Sequence, residues 1–152
     1  MRGNRPLQVD IRDLQDQPFD PDLLTRVALA VSEAETADLD CFSIVVVDNH
    51  TIQHLNRELL NTDRPTDVIA FEAETGPDGK TAAEAYVSLE QAAIQATEQG
   101  HTLAWELAFL VAHALLHAIG YTDADDATKQ IMLDRQTAIM NQFEEHTRSV
   151  QH

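Results

Sequence analysis

Leu103-Ala-Trp-Glu-Leu-Ala-Phe-Leu-Val-Ala-His113-Ala-Leu-Leu-His117-Ala-Ile119 is apolar around most of a helical circumference, and Gly120-Tyr-Thr-Asp123 follows it. A helix that is apolar nearly all round is a buried one, so this segment is read as the central helix on which the rest packs. His113 and His117 stand at i and i+4, on one face and about one turn apart, so both rings can address a single point. Unpartnered buried polar groups are costly, so two imidazoles on a central helix require something to bind. Gly120 can take the left-handed conformation that ends a helix and folds the chain back. That return can bring Asp123 to the same point. Donors of types N, N and O suit a zinc ion with three protein ligands and a fourth position open to water, which separates a catalytic site from a closed structural one. Packing alone is the other role open to the histidine pair. Helix capping within Thr122-Asp-Ala-Asp-Asp126 is the other role open to Asp123. Glu106 falls on nearly the same face seven residues before His113. It is too far along the axis to share the ion, and is read as a buried polar residue that pairs with a neighbouring element.

Outward from this helix the pattern alternates between strands and helices. Leu7 to Ile11 alternates apolar and polar, as a half-buried strand does. Asp20 or Asp22 can cap an amphipathic helix from Leu23 to Ala34, with Leu24, Val27, Ala28 and Val31 on one face. Cys41 to Asp48 is a β-branched strand. Asp48 or Asn49 then caps a helix from Thr51 to about Leu60, with Ile52, Leu55 and Leu59 facing inward. Asn61 to Pro65 is a loop, and Thr66 to Phe71 a third strand. Gly76-Pro-Asp-Gly79 is a turn, and Glu84 to Ser88 a weaker fourth strand. Ser88 caps a helix from Leu89 to about Gln99, which Gly100 stops. The histidine helix runs from about Thr102 to Ile119. A last amphipathic helix runs from about Asp125 to Glu145, with Ile131, Met132, Ile139, Met140 and Phe143 on its apolar side and a frayed tail from His146. The expectation is an α/β (α+β) fold in one domain over residues 1–152: a small mixed sheet of about four strands, packed with about five helices.

The chain has 152 residues, enough for a sizeable core without staples. Its one cysteine, Cys41, excludes an internal disulfide. No stretch approaches the length of a transmembrane helix, and the N-terminus lacks the apolar core of a signal peptide. A reducing, cytoplasmic location is therefore expected. With 26 acidic and 10 basic residues the formal charge is −16, and such a surface repels nucleic acid by default. No basic patch interleaved with aromatics is present.

In metalloproteases with a His-Glu-x-x-His pair, the glutamate is the general base. Ala114 occupies that position here, so a protease of that kind would lack its base. The segment resembles instead the YbeY family of metal-dependent single-strand endoribonucleases, also called rRNA maturation factors, whose pattern is His-Gly-x-Leu-His-Leu-x-Gly-Tyr-Asp-His. His113, Leu116, His117, Gly120 and Tyr121 keep it. A second family pattern, Leu-Asn followed by Asp-x-Pro-Thr-Asp-Val-Leu-Ser-Phe, is matched by Leu55-Asn56 and Asp63-Arg-Pro-Thr-Asp67-Val-Ile-Ala-Phe71. A third, Gly-Asp-Ile-x-Ile-Ser, is matched loosely by Ala83 to Ser88.

The resemblance implies a mixed α/β fold with one zinc per chain, held by His113, His117 and Asp123, and a zinc-dependent single-strand endoribonuclease. The implied role is rRNA maturation at the 16S rRNA 3′ end, with ribosome assembly and quality control. The expected partners are single-stranded RNA or rRNA and the small ribosomal subunit or its proteins, with no DNA and no membrane. Several positions depart from the pattern. Asp123 stands where the family has a third histidine, which makes the site harder, more negative and weaker. Ala114 replaces a glycine, and Thr122 an aspartate. Leu60 stands where an arginine often lies to hold the phosphate. Arg57, one turn earlier, or Arg64 in the loop could substitute, each being otherwise a surface arginine, and Asp67 is a further pocket candidate, otherwise a turn or strand-entry residue that bonds backbone amides. Arg57 and Asp67 are thus the catalytic candidates. Two other readings follow from these departures: a weakly active or non-catalytic metal-binding assembly factor, and a metal-dependent hydrolase of another substrate.

Overall fold

The computed structural model describes residues 6–60, 67–122 and 124–149, with the backbone alone for Leu60 and for 144–149. Strand β1 (Gln8–Asp13), helix α1 (Pro21–Ala34), β2 (Cys41–Val47), α2 (Asn49–Leu60), β3 (Val68–Thr75), β4 (Thr81–Ser88), α3 (Leu89–Gln99), α4 (Leu103–Ala118) and α5 (Asp126–Ser149) follow in order. The sheet has the order β1-β2-β4-β3. β1 and β4 both run parallel to β2, and β3 runs antiparallel to β4. This is the mixed four-stranded sheet with five helices that the sequence pattern predicts.

The two faces of the sheet are covered unequally. Phe42, Ile44 and Val46 of β2 and Ala83, Ala85 and Val87 of β4 face the large core, where α1, α3, α4 and α5 pack. Val45 and Val47 point the other way, toward Ile52 and Leu55 of α2. A strand buried on both faces reads as a continuous apolar run, and β2 does. α4 lies at the middle of the large core. Ten of its residues are buried, and it contacts α1, α3, α5, β3 and β4. The expectation of a central helix therefore holds. Each fully buried leucine on it, such as Leu115 or Leu116, stabilises the fold by about 1.5–3 kcal/mol relative to exposure.

Local signals explain most boundaries. Asp20 caps α1, Ser88 caps α3, and Thr102 caps α4 through its side-chain oxygen. Asp48 accepts the Thr51 amide at 2.8 Å and caps α2. Two expectations are corrected. Leu59 is 52% exposed, because the small cluster under α2 extends only as far as Leu55, Phe71 and Tyr86. Ile131 is also 52% exposed, because α5 docks through Met132, Gln136, Ile139, Met140 and Phe143, a 3.6-residue stripe that leaves Ile131 on its flank. α5 also continues as helix to Ser149, beyond the tail expected from His146. The loop expected over Asn61 to Pro65 and the strand start at Thr66 lie outside the described residues.

Two helices end in the same hydrogen-bonded turn but with different residues at its critical position. At the end of α4, Tyr121 donates to the Leu116 carbonyl at 3.0 Å and Gly120 to that of His117 at 3.1 Å, with Gly120 at φ 117°. At the end of α1, Ala37 donates to Ser32 at 3.0 Å and Thr36 to Glu33 at 3.2 Å. Both are Schellman turns, which glycine suits because it has no Cβ. Thr36 occupies that position at φ 44°, a conformation rare for a β-branched residue. Thr36→Gly should therefore raise the unfolding free energy by up to about 1 kcal/mol, the left-handed penalty less the entropy glycine loses. Denaturant unfolding of parent and variant measures it, and a destabilised variant would show that Thr36 carries no strain.

Candidate functional site

His113 and His117 project from one face of α4, with ring centroids 4.6 Å apart and ring planes at 80°. Both are half-buried. Each ring is held from behind through Nδ1. His117 Nδ1 lies 3.0 Å from the Tyr121 carbonyl oxygen. A carbonyl can only accept, so Nδ1 donates and carries the proton. The turn at Gly120 makes this contact, because it folds the chain back over the last turn of α4. His113 Nδ1 lies 3.3 Å from Gln136 Oε1. The Gln136 amide donates through Nε2 to the Phe109 carbonyl at 2.9 Å, which fixes which of its atoms faces His113. Nδ1 of His113 is therefore the donor as well. In the neutral ring the lone pair then sits on Nε2.

This donor chemistry fits a metal. Metal-binding imidazoles characteristically give their second nitrogen to a carbonyl or carboxylate that fixes tautomer and orientation. Both histidines have that second partner. Rings 4.6 Å apart can both reach one ion, given zinc–nitrogen distances of about 2.0–2.1 Å. Gln136 is 2% exposed and was not among the sequence candidates. The signal that could have found it is a lone polar residue within the apolar stripe of α5.

A cavity of about 440 Å³ opens on the pair, lined by Asp67, Val68, Ile69, Ala70, Glu72, His113, His117, Tyr121 and Thr122. Asp67, a sequence candidate, thus lies in one cavity with both histidines. Its carbonyl accepts the Ser88 amide at 2.9 Å, which ties it to the end of β4. A one-residue bulge in β3 between Phe71 and Glu74 lies beside Glu72. Bulges of this kind re-aim side chains next to sites. A larger cavity of about 600 Å³ shares Glu72 and Tyr121 with the first, but neither histidine lines it.

Arg57 stands exposed in the last turn of α2 and does not line the histidine cavity. Asp123 and Arg64 lie outside the described residues, as does the side chain of Leu60. Among the described residues no three or more His, Cys, Asp or Glu side chains form a ligand cluster. Helix α5 is capped just before its first residue. Asp125 accepts the Thr128 amide at 2.8 Å, and the Thr128 hydroxyl accepts the Asp125 amide at 3.2 Å, a reciprocal cap on α5.

The family of the chain follows from comparison with known proteins. The family model described as Endoribonuclease YbeY matches residues 11–144. The chain belongs to the YbeY endoribonuclease family. Relatives of that name include a protein of Carboxydothermus hydrogenoformans, 37% identical over 87% of this chain and 94% of its own. The Clostridium kluyveri relative is 30% identical, over 90% of this chain and 94% of its own. The solution structure of TM1509 from Thermotoga maritima is similar in fold, with a TM-score of 0.65 at 24% identity over 93% of both chains. No helix among the described residues is long and apolar enough to cross a membrane.

Glu106 is buried, at 3% exposed, and its Oε1 has no hydrogen-bond partner among the described residues. Burial and then the negative charge of Asp67 push its carboxyl above the usual range. The native state therefore binds this proton more tightly than the unfolded chain does. The associated stability is full at low pH and is lost as pH rises through the raised folded value. Glu106→Gln removes the ionisation, so its stability relative to the parent should climb as pH rises past the ordinary carboxylate range. Denaturant unfolding across pH reads this, and parallel profiles for the two proteins would contradict it.

Proposed function

We propose that this chain is a zinc-dependent hydrolase of single-stranded RNA, acting on rRNA at the 3′ end of the 16S molecule. The observation that carries the reading is the pair of imidazoles whose Nδ1 groups are both held by carbonyl oxygens beside a cavity shared with Asp67. Membership of an endoribonuclease family supports the substrate class. His113 and His117 would hold the ion, with Asp123 as third ligand. Bound zinc supplies Lewis acidity, which lowers the pKa of a water and polarises a phosphoryl oxygen.

The protein's own groups orient and neutralise. Gln136 and the Tyr121 carbonyl keep both rings in the tautomer that binds metal. Asp67, half-buried in the cavity, is assigned the proton released by the attacking water. Hydrolysis builds negative charge on the phosphoryl oxygens, which arginine clamps commonly offset. Arg57 is assigned that task in place of Leu60. The net charge of −16 and Leu60 together favour a second reading, a metal-binding ribosome-assembly factor with little or no cleavage.

Protein purified without chelator should carry about one zinc per chain, given one three-ligand site. His113→Ala and His117→Ala should each abolish both zinc and cleavage of a single-stranded RNA. Asp123→Ala should weaken zinc binding strongly, and Asp123→His should retain it. Full zinc content in His117→Ala would end the metal reading, and zinc without cleavage in the parent would select the assembly factor.

Parental ribonuclease activity should be weak at low salt, where the acidic surface of net charge −16 opposes RNA with the least screening. Leu60→Arg should raise it by about tenfold or more, and Arg57→Ala should lower it by a similar factor. Cleavage rates indifferent to both changes would remove arginine from the phosphate's surroundings.

A further inference from the structure

We propose that Glu35 is a positioning residue for His117, acting through Tyr121. The inference rests on the metal reading of the histidine pair for its consequence, though not for its geometry.

The Tyr121 hydroxyl donates a short hydrogen bond to the Glu35 carboxylate. Glu35 is the cap residue of α1, and its side chain is 9% exposed. Arg135 of α5 also reaches this corner: its Nε stands 3.9 Å from Glu35 Oε2, its side chain is 58% exposed, and it acts on the Tyr121 hydroxyl as well. An ion pair that long and that open to water contributes little. A carboxylate so nearly withdrawn from water is costly unless it is hydrogen-bonded, and Tyr121 supplies that bond. Glu35 also sits immediately before Thr36, whose left-handed backbone turns the chain at this corner. Strained backbone of that kind persists where the surroundings over-determine it.

The reason Tyr121 needs an anchor lies in the turn after α4. The Schellman bonds hold the amides of Gly120 and Tyr121, but the carbonyl of Tyr121 lies beyond the last of them. That carbonyl is the group that receives His117 Nδ1 at 3.0 Å. Between it and α5, the next anchored amide among the described residues is that of Asp125. The bond to Glu35, with the packing of the ring on the large core, restrains how far Tyr121 can turn, and on this proposal it thereby restrains the direction of its carbonyl. The chain of contacts runs from α1, through the tyrosine ring, to the imidazole. It joins elements far apart in sequence, so no local pattern reveals it.

The experiment uses full-length protein and two measurements. The first is long-range ¹⁵N–¹H correlation of the imidazoles in metal-free protein, which reports the tautomer of each histidine. The parent should show His117 with the proton on Nδ1. Tyr121→Phe keeps the packed ring and loses only the hydroxyl. It should show mixed tautomers at His117 with His113 unchanged. Glu35→Ala should match it, while Glu35→Gln, whose amide oxygen still accepts from the hydroxyl, should resemble the parent. The second measurement is zinc affinity, which should fall by about tenfold in Tyr121→Phe and Glu35→Ala. A parental tautomer and parental zinc affinity in Tyr121→Phe would overturn the proposal, as would a Glu35→Gln protein as impaired as Glu35→Ala. Failure of the metal reading is seen separately, as full zinc binding in His117→Ala, and the tautomer comparison then still decides what Glu35 does.

Discussion

Burial of α4 is the constraint on which the rest of the molecule depends, because each polar group on a helix enclosed by the sheet and by α1, α3 and α5 is costly unless it is partnered or neutral. Three such groups matter here. His113 is met by Gln136 from α5, and His117 by the backbone just past its own helix. Glu106 keeps an oxygen without a hydrogen bond among the described residues, and its carboxyl is held in favour of the neutral form. The first two arrangements leave the lone pairs on Nε2.

The two Schellman turns separate structural need from site need. Both reverse the chain with the same bonds, yet one uses glycine and the other threonine. At Gly120, an added Cβ would meet nothing within 4 Å, so the requirement there is the backbone angle and not space. That angle carries Tyr121 back over His117. At Thr36 the same turn presents Glu35 to the Tyr121 hydroxyl. Both turns thus converge on one residue, and Tyr121 links the ends of α1 and α4.

Electrostatics set the strongest limit on RNA chemistry at this site. The chain carries 16 more acidic than basic residues, and Asp67 and Glu72 line the cavity itself. A phosphodiester approaching such a surface is opposed at long range, and the opposition grows as salt is lowered and screening weakens. Counterion effects on the nucleic acid act in the reverse direction and favour low salt when cations make the contacts. The balance turns on how many positive charges the site presents to the phosphate against the carboxylates that line it. The family to which the chain belongs supplies the reaction class, and its own residues supply the departures.

Elements whose reading depends on neighbours in sequence were legible from the chain alone. Periodicity and capping residues located the four strands and five helices of the described residues and the central place of α4, and the i, i+4 spacing paired His113 with His117. Those signals are local, since a helical face and a cap are decided within a few residues. Leu59 and Ile131 were misjudged because amphipathic periodicity states which side of a helix is apolar but not how far the opposing surface extends. Gln136 showed in the sequence only as a lone polar residue in the apolar stripe of α5, and Glu35 as an ordinary polar residue at a helix end. What each touches is decided when α5 and α1 are laid against α4. Sequence therefore determined the elements and the imidazole pair. Tertiary structure decided what holds His113 and what meets the Tyr121 hydroxyl, because hydrogen bonds between residues 23 and 86 positions apart exist only after the core has closed, whereas the carbonyl that holds His117 comes from four residues along the chain.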